Sequence, residues 1–443
     1  MPHPRYHIIQ FICIMAVLAA IMLQGFTGMV KMKPLEGVVA TEKPVKLTFE
    51  TYLDGSYQDY LTQHAKSHTG FREFFIRSYN QVCYSCFGKF NNNNIVVGEN
   101  GELFTNMYVD DVTGKRVEQY FTTVDSAKMA ARENVALTLR LMDTLMRHGT
   151  DFLFIFAPSK AVVYPEYLPE TYRSRISDFS LVDYYVTLFK ESNIPHIDFY
   201  NYFKQLKGEF PYPLYSQYGT HWSYATIPFV TDSILRKMEA ISGEKLPHVE
   251  ITDLNISTKY SGQDRELEGQ FNLLFPLPKP AIPNPVYVLK DTLEAVKPNF
   301  VVVADSYFVP FEKSCFLDAF NSWNYLKYNE YVISSNPKYS WKKVEYLPEA
   351  YQILEDADFV VALFTAPMMY DYMFGFPEMA MKLLSQGPLC DEEKIEMTIQ
   401  VIRDTPQWYD AVVKQAKELG ITIEENLRRN AIYTIQTREK AKP

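Results

Sequence analysis

A serine, a histidine and an acid, each where a strand or helix ends, are the chemical parts this sequence offers. Ser306 follows the apolar run Phe300 to Ala304 and Asp305. His221 stands in Tyr218-Gly219-Thr220-His221-Trp222, directly before a helical stretch, and Asp198 lies in the run Ile194 to Tyr200. In such a set the histidine takes the serine proton while the acid fixes the imidazole tautomer, which makes the serine oxygen a nucleophile. A helix N-terminus at His221 would favour neutral imidazole, because the positive end of the dipole opposes imidazolium. Pro310 suits the first turn of a helix after Ser306, whose amides would then face an oxyanion. The alternative is a turn serine and a core histidine beside Trp222, and spacing alone leaves both open.

These residues need a sheet to hold them on one rim. Phe152 to Ala157, Ile194 to Tyr200, Phe300 to Ala304 and Phe359 to Phe364 read as buried strands. Helical spacing over Asp125 to Arg147, Leu181 to Lys190 and Ser223 to Ile241 separates them. Alternation of this kind predicts a three-layer α/β domain with a parallel sheet, whose working residues lie beyond the carboxyl ends of the strands. The rim then holds Ser306, Asp305, Asp198 and Ser159-Lys160, whereas Asp356 and Asp358 precede their strand and fall on the opposite side. Ile95 to Phe104, with Asn100-Gly101 inside it, is a hairpin signal. Pro276 to Pro298 reads as a proline-rich connection, and the region from Asp391 onward as a helical hairpin. The organisation expected is an anchor over 1–31, a linker, helix and hairpin over 32–110, the α/β domain over 111–370 and a helical extension over 371–443.

The 44 Lys and Arg against 53 Asp and Glu give a net charge of −9, and with no local basic patch this disfavours nucleic acid as a partner. Cys13, Cys83, Cys86, Cys315 and Cys390 form neither a disulfide framework nor a zinc pattern. From Ile8 to Leu23 every residue but Gln10 is apolar, and the run continues to Val30. That is enough for a bilayer core of roughly 20 helical residues, so an uncleaved membrane anchor is expected, with Pro34 to Pro44 a linker beyond it. Arg5 on one side is balanced by Lys31 and Lys33 on the other, so flanking charge does not set the orientation.

Five stretches in order carry a resemblance. Gly70-Phe71-Arg72 with Tyr79-Asn80-Gln81, Val96 to Phe104, Ala157-Pro158-Ser159-Lys160 with Tyr164 to Pro169, Thr220-His221-Trp222-Ser223, and Ala304-Asp305-Ser306-Tyr307 together resemble the SGNH-hydrolase-like acetyltransferase domain of the alginate O-acetylation proteins. The resemblance spans about residues 60 to 370, in a circularly permuted order with histidine ahead of serine. It implies an acyl-serine at Ser306, with His221 as base, passing acetyl to hydroxyls of an extracytoplasmic or cell-surface polysaccharide. It implies no cofactor and no metal. It further implies a membrane-bound O-acyltransferase as acetyl supplier, and a single-pass protein of the cytoplasmic membrane with its domain on the periplasmic side.

Two positions depart from the family pattern. Gly219 stands where an acid two residues before the histidine is usual, and Ala304 where glycine is usual. Asp198 is the first substitute acid and Asp305 the second. Lys160, Tyr164, Trp222 and Tyr307 are the candidate substrate-binding residues, and the Tyr-rich stretch Tyr212 to Tyr224 a candidate sugar platform. Without its acid the domain could instead be an inactive polysaccharide-binding or scaffold subunit, and with water as acceptor a carbohydrate esterase.

Overall fold

The computed structural model describes residues 4–37, 44–90, 92–260, 262–344 and 347–440. The linker expected over Pro34 to Pro44 lies partly, and the Arg5 side chain wholly, outside them. Helix Pro4–Thr27 is long and apolar enough to cross a membrane, with its described side chains largely exposed. Helix Arg72–Phe87 and a hairpin, β1 (Ile95–Val97) and β2 (Leu103–Thr105), lead into the domain. Asn100 and Gly101 adopt positive φ at the hairpin turn, the conformation that pair favours.

The apolar runs Phe152 to Ala157, Phe300 to Ala304 and Phe359 to Phe364 become strands because each is buried on both faces, whereas Ile194 to Tyr200 gives a half-buried strand of three residues and the start of a helix. β3 (Asp151–Ala157) turns Leu153, Ile155 and Ala157 to one core and Phe152, Phe154 and Phe156 to the other. Next in the chain come β4 (His196–Asp198), the ribbon β5 (His248–Ser257) with β6 (Ile282–Lys290), and β7 (Asn299–Ala304). Then follow β8 (Ser322–Lys327), β9 (Tyr331–Ser334), β10 (Lys342–Lys343) and β11 (Phe359–Thr365). The sheet order is β10-β9-β8-β7-β11-β3-β4, parallel from β8 to β4 with β9 antiparallel to β8. One face is covered by helices Phe199–Leu206 and Ile227–Ser242, and the other by Val124–Arg147, Leu181–Glu191 and Phe376–Gln386. The domain is therefore the expected α/β three-layer.

Three expectations change. The segment after Trp222 is a turn, held by Ser223 N–H on the Leu214 carbonyl at 2.9 Å, and the helix begins only at Ile227, so the N-terminus of that helix is not at His221. The proline-rich connection contains β6. A two-stranded ribbon tolerates Pro283 and Pro285 because each strand has an unpaired edge for a residue without N–H. The C-terminal region has three helices, Asp391–Arg403, Pro406–Leu419 and Ile423–Lys440, around a core of their own that includes Ile399, Ile402, Val412 and Leu427. A chain ended at Gly387 is therefore expected to keep the α/β unfolding midpoint of the full chain by circular dichroism. Loss of that cooperative transition would show that the bundle is part of the α/β core.

Candidate active site

The sheet rim brings Ser306 and His221 together from positions 85 residues apart. Ser306 opens the turn after β7, and its Oγ lies 2.9 Å from His221 Nε2. On the far side of the ring, Nδ1 lies 2.8 and 2.9 Å from the two carboxylate oxygens of Glu266. A carboxylate only accepts, so Nδ1 carries the proton and Nε2 presents its lone pair to the serine hydroxyl. Glu266 Oε1 also accepts the backbone N–H of Thr220 at 2.7 Å and of His221 at 3.1 Å. The carboxylate thus fixes the loop and the ring at once.

The carboxylate that meets His221 is therefore neither of those expected. Asp198 caps helix Phe199–Leu206 through Asn201 N–H at 3.0 Å and faces Lys190 at 3.6 Å. Its strand is the sheet edge, away from the histidine. Asp305 is buried beneath Ser306. Its Oδ2 accepts the N–H and hydroxyl of Thr365 at 2.8 and 2.7 Å, and its Oδ1 accepts Tyr307 N–H at 2.8 Å. It ties the serine turn to β11, and it also takes the amide that was to face an oxyanion. Burial pushes its carboxyl up, against the pull of Thr365, Tyr307 and His221.

Gly219 explains where the acid went. A Cβ there would lie 2.3 Å from the Gln263 carbonyl and 2.7 Å from Ser216 Oγ, so any side chain would collide with the segment that carries Glu266. Two bonds lock that segment to the histidine loop, Ser216 Oγ to the Asp264 carbonyl at 2.6 Å and Leu267 N–H to the Tyr218 carbonyl at 3.0 Å. The usual acid position and the segment supplying Glu266 exclude each other sterically.

The four candidate substrate-binding residues are committed to the framework. Lys160 is buried, donates to the carbonyls of Leu103, Ser216 and Gln217 at 3.0, 2.8 and 2.8 Å, and pairs with Glu102 at 2.7 Å. Desolvation lowers its ammonium pKa and Glu102 opposes this. Trp222 is 0% exposed, packed edge-on against Phe199 and Phe311. Tyr307 is equally buried; its hydroxyl donates to the Thr220 carbonyl at 2.7 Å and its ring centre lies 4.7 Å from that of His221. Tyr164 accepts Leu214 N–H at 3.2 Å. In the expected sugar platform, Tyr215 and Tyr218 are likewise buried, with hydroxyls on the carbonyls of Pro158 and Pro278.

Sequence reasoning missed Glu266 and Tyr328. The only signal for the first is the acidic stretch Asp264 to Glu268, in which nothing marks the acid that turns inward. Tyr328 follows β8 with positive φ, and burial pushes its phenol up, against the side chain and amide of Ser306 beside it. It stands beside Ser306, where a carbonyl oxygen polarised by attack would need a donor.

Residues 95–299 match the family model of the SGNH hydrolase-like domain of the acetyltransferase AlgX. Solved structures similar to the chain include the O-acetyltransferase domain of Pseudomonas putida AlgJ, at 17% identity and TM-score 0.40, covering 66% of this chain and 99% of that one. Pseudomonas aeruginosa AlgX is similar at 17% identity and TM-score 0.42, covering 67% and 69%. Bacillus cereus PatB1 with a sulfonyl adduct follows at 13% identity and TM-score 0.36, covering 56% and 93%. No curated protein matches the chain.

Two residues before Glu266, Asp264 is buried with Oδ1 unpartnered. Burial, with a smaller contribution from Glu266, pushes its carboxyl from 3.8 to about 7, against the Tyr224 amide. A carboxyl raised in the folded state is protonated there while already charged in the unfolded chain. Its contribution to stability is therefore present at low pH and lost as pH rises from about 4 through about 7. Asp264→Asn is expected to flatten that decline in denaturant titrations between pH 4 and 8. An unchanged slope would place the ionisation elsewhere.

Proposed function

We propose that this chain, with its SGNH hydrolase-like domain of the AlgX acetyltransferase type over residues 95–299, is an O-acetyltransferase that carries acetyl on Ser306 to hydroxyls of a polysaccharide outside the cytoplasm. The observation that carries the reading is the unbroken chain Glu266–His221–Ser306, at 2.8 and 2.9 Å.

Each step follows from those contacts. His221 Nε2 takes the Ser306 proton as Oγ attacks the donor's acetyl carbonyl. The imidazolium, held by Glu266, then protonates the departing donor oxygen, leaving acetyl esterified to Ser306. A sugar hydroxyl next gives its proton to Nε2 and attacks the same carbonyl, and Ser306 leaves with that proton. The Tyr328 hydroxyl, beside Ser306, is the group available to the carbonyl oxygen as charge develops. No step calls for a metal or cofactor.

The scaffold alternative drew its force from the acid missing at Gly219, and Glu266 on Nδ1 removes that reason. Esterase and transferase share the acyl-serine and differ in the second nucleophile. A transferase holds the sugar against the ester, where effective molarities reach roughly 10⁵ M and exceed what water offers. The apolar helix Pro4–Thr27 supports an anchor that keeps the domain beside a membrane-bound O-acyltransferase, the acetyl supplier we assign.

Ser306→Ala and His221→Ala are each expected to abolish acetyl transfer from an activated acetyl ester, with losses that do not add. Glu266→Gln is expected to cost on the order of 10⁴ in rate by analogy with the serine-protease acid, and Asp198→Asn to leave the rate unchanged. An active Glu266→Gln would return the acid role to another group. Acetate release that oligosaccharide acceptors divert onto sugar identifies the transferase; rapid release that none diverts identifies an esterase.

A further inference from the structure

Shortly after the apolar helix ends at Thr27, the chain is gripped from two sides. Arg77, on helix Arg72–Phe87, donates to the carbonyls of Lys33 and Pro34, each at 2.9 Å. Opposite, the Asn272 side chain brackets the backbone of Glu36, accepting its N–H at 2.8 Å and donating to its carbonyl at 2.9 Å. The Glu36 carboxylate lies between Lys33 Nζ at 2.7 Å and Arg265 at 3.3 Å. It is seated so closely on helix Glu266–Gln270 that a Cβ at Gly269 would come within 1.8 Å of it.

These contacts flank the triad acid. Arg265 immediately precedes Glu266, and Gly269 and Asn272 closely follow it. A helix of five residues does not hold its own conformation, so Glu266 depends on what packs against its segment. The inner side is tied to the histidine loop, and the outer side to Glu36. Partly exposed ion pairs such as Glu36–Arg265 contribute little alone. The Asn272 bracket satisfies both backbone groups of one residue and fixes the strap in register.

We propose that the strap Lys33–Glu36 is a positioning element for Glu266, setting through Asn272, Arg265 and Gly269 the pose in which that carboxylate meets His221 Nδ1. The inference rests on the reading of Glu266 as the triad acid. It makes the stretch that leaves the apolar helix part of the active-site framework, so that how the domain is tethered bears on how well Ser306 is activated.

The test uses the full-length chain in detergent with an activated acetyl ester as probe, and Glu266→Gln as control. Glu36→Ala and Asn272→Ala are each expected to lower kcat about tenfold, as a slight misplacement of a catalytic group does. KM and Tm should stay unchanged, and the double variant should lose less than the sum because both act through one strap. Glu36→Gln, which keeps an acceptor for Lys33 and Arg265, should recover most of the activity. Wild-type kcat in Glu36→Ala and Asn272→Ala beside an inactive Glu266→Gln overturns the strap. A loss that comes with a lowered Tm or a raised KM overturns it as well, since the effect is then on folding or binding. A fully active Glu266→Gln overturns the acid assignment and the strap with it.

Discussion

His221 can take a proton from Ser306 only while its Nδ1 keeps its own, and the Glu266 carboxylate at 2.8 Å holds it there. Much of the surrounding structure serves that contact. The carboxylate also accepts the amides of Thr220 and His221, so the loop that carries the base is anchored to the group that orients it. Gly219 supplies the space, and its missing side chain lets the Gln263 carbonyl approach where an acid would otherwise project. An acid two residues before the histidine and an acid 45 residues after it are two solutions to one geometric problem, and the backbone path here admits only the second.

Beneath the site lies a buried polar framework. Asp305 joins the serine turn to Thr365 at the end of the neighbouring strand, and Tyr325 donates to the Asp305 carbonyl at 2.6 Å from the strand on the other side. Lys160 gathers the carbonyls of Leu103, Ser216 and Gln217, linking the hairpin, the end of β3 and the histidine loop around one ammonium. Buried charges of this kind are costly unless fully partnered, and when they are they specify a single arrangement. The residues that looked ready to meet a substrate, Lys160, Trp222 and Tyr307, hold the His221 loop and the Ser306 turn in register instead.

The sheet was legible because its central strands are apolar on both faces, and Phe152 to Ala157, Phe300 to Ala304 and Phe359 to Phe364 each lie within one residue of an observed strand. Ser306 and His221 were legible from motif and strand end together. β8 was not, since Ser-Trp-Asn-Tyr-Leu-Lys buries a polar Asn324 whose bond with Ser334, at 2.7 Å, helps make it acceptable. Tyr328 went unseen with it. Glu266 was illegible for a different reason: its role comes from a tertiary approach through Gly219, and no local pattern records a contact made by the absence of a side chain.

The central claim is that acetyl rests on Ser306 on its way to a sugar. Acid-quenched reactions of the full-length chain with an activated acetyl ester, digested and read by tandem mass spectrometry, test it directly. The account predicts one acetyl group on the peptide containing Ser306, appearing within the first turnover, lost when an acceptor oligosaccharide is added, and absent from the His221→Ala chain. Acetylated oligosaccharide formed while Ser306 stays unmodified, or acetyl found on another side chain, would contradict it.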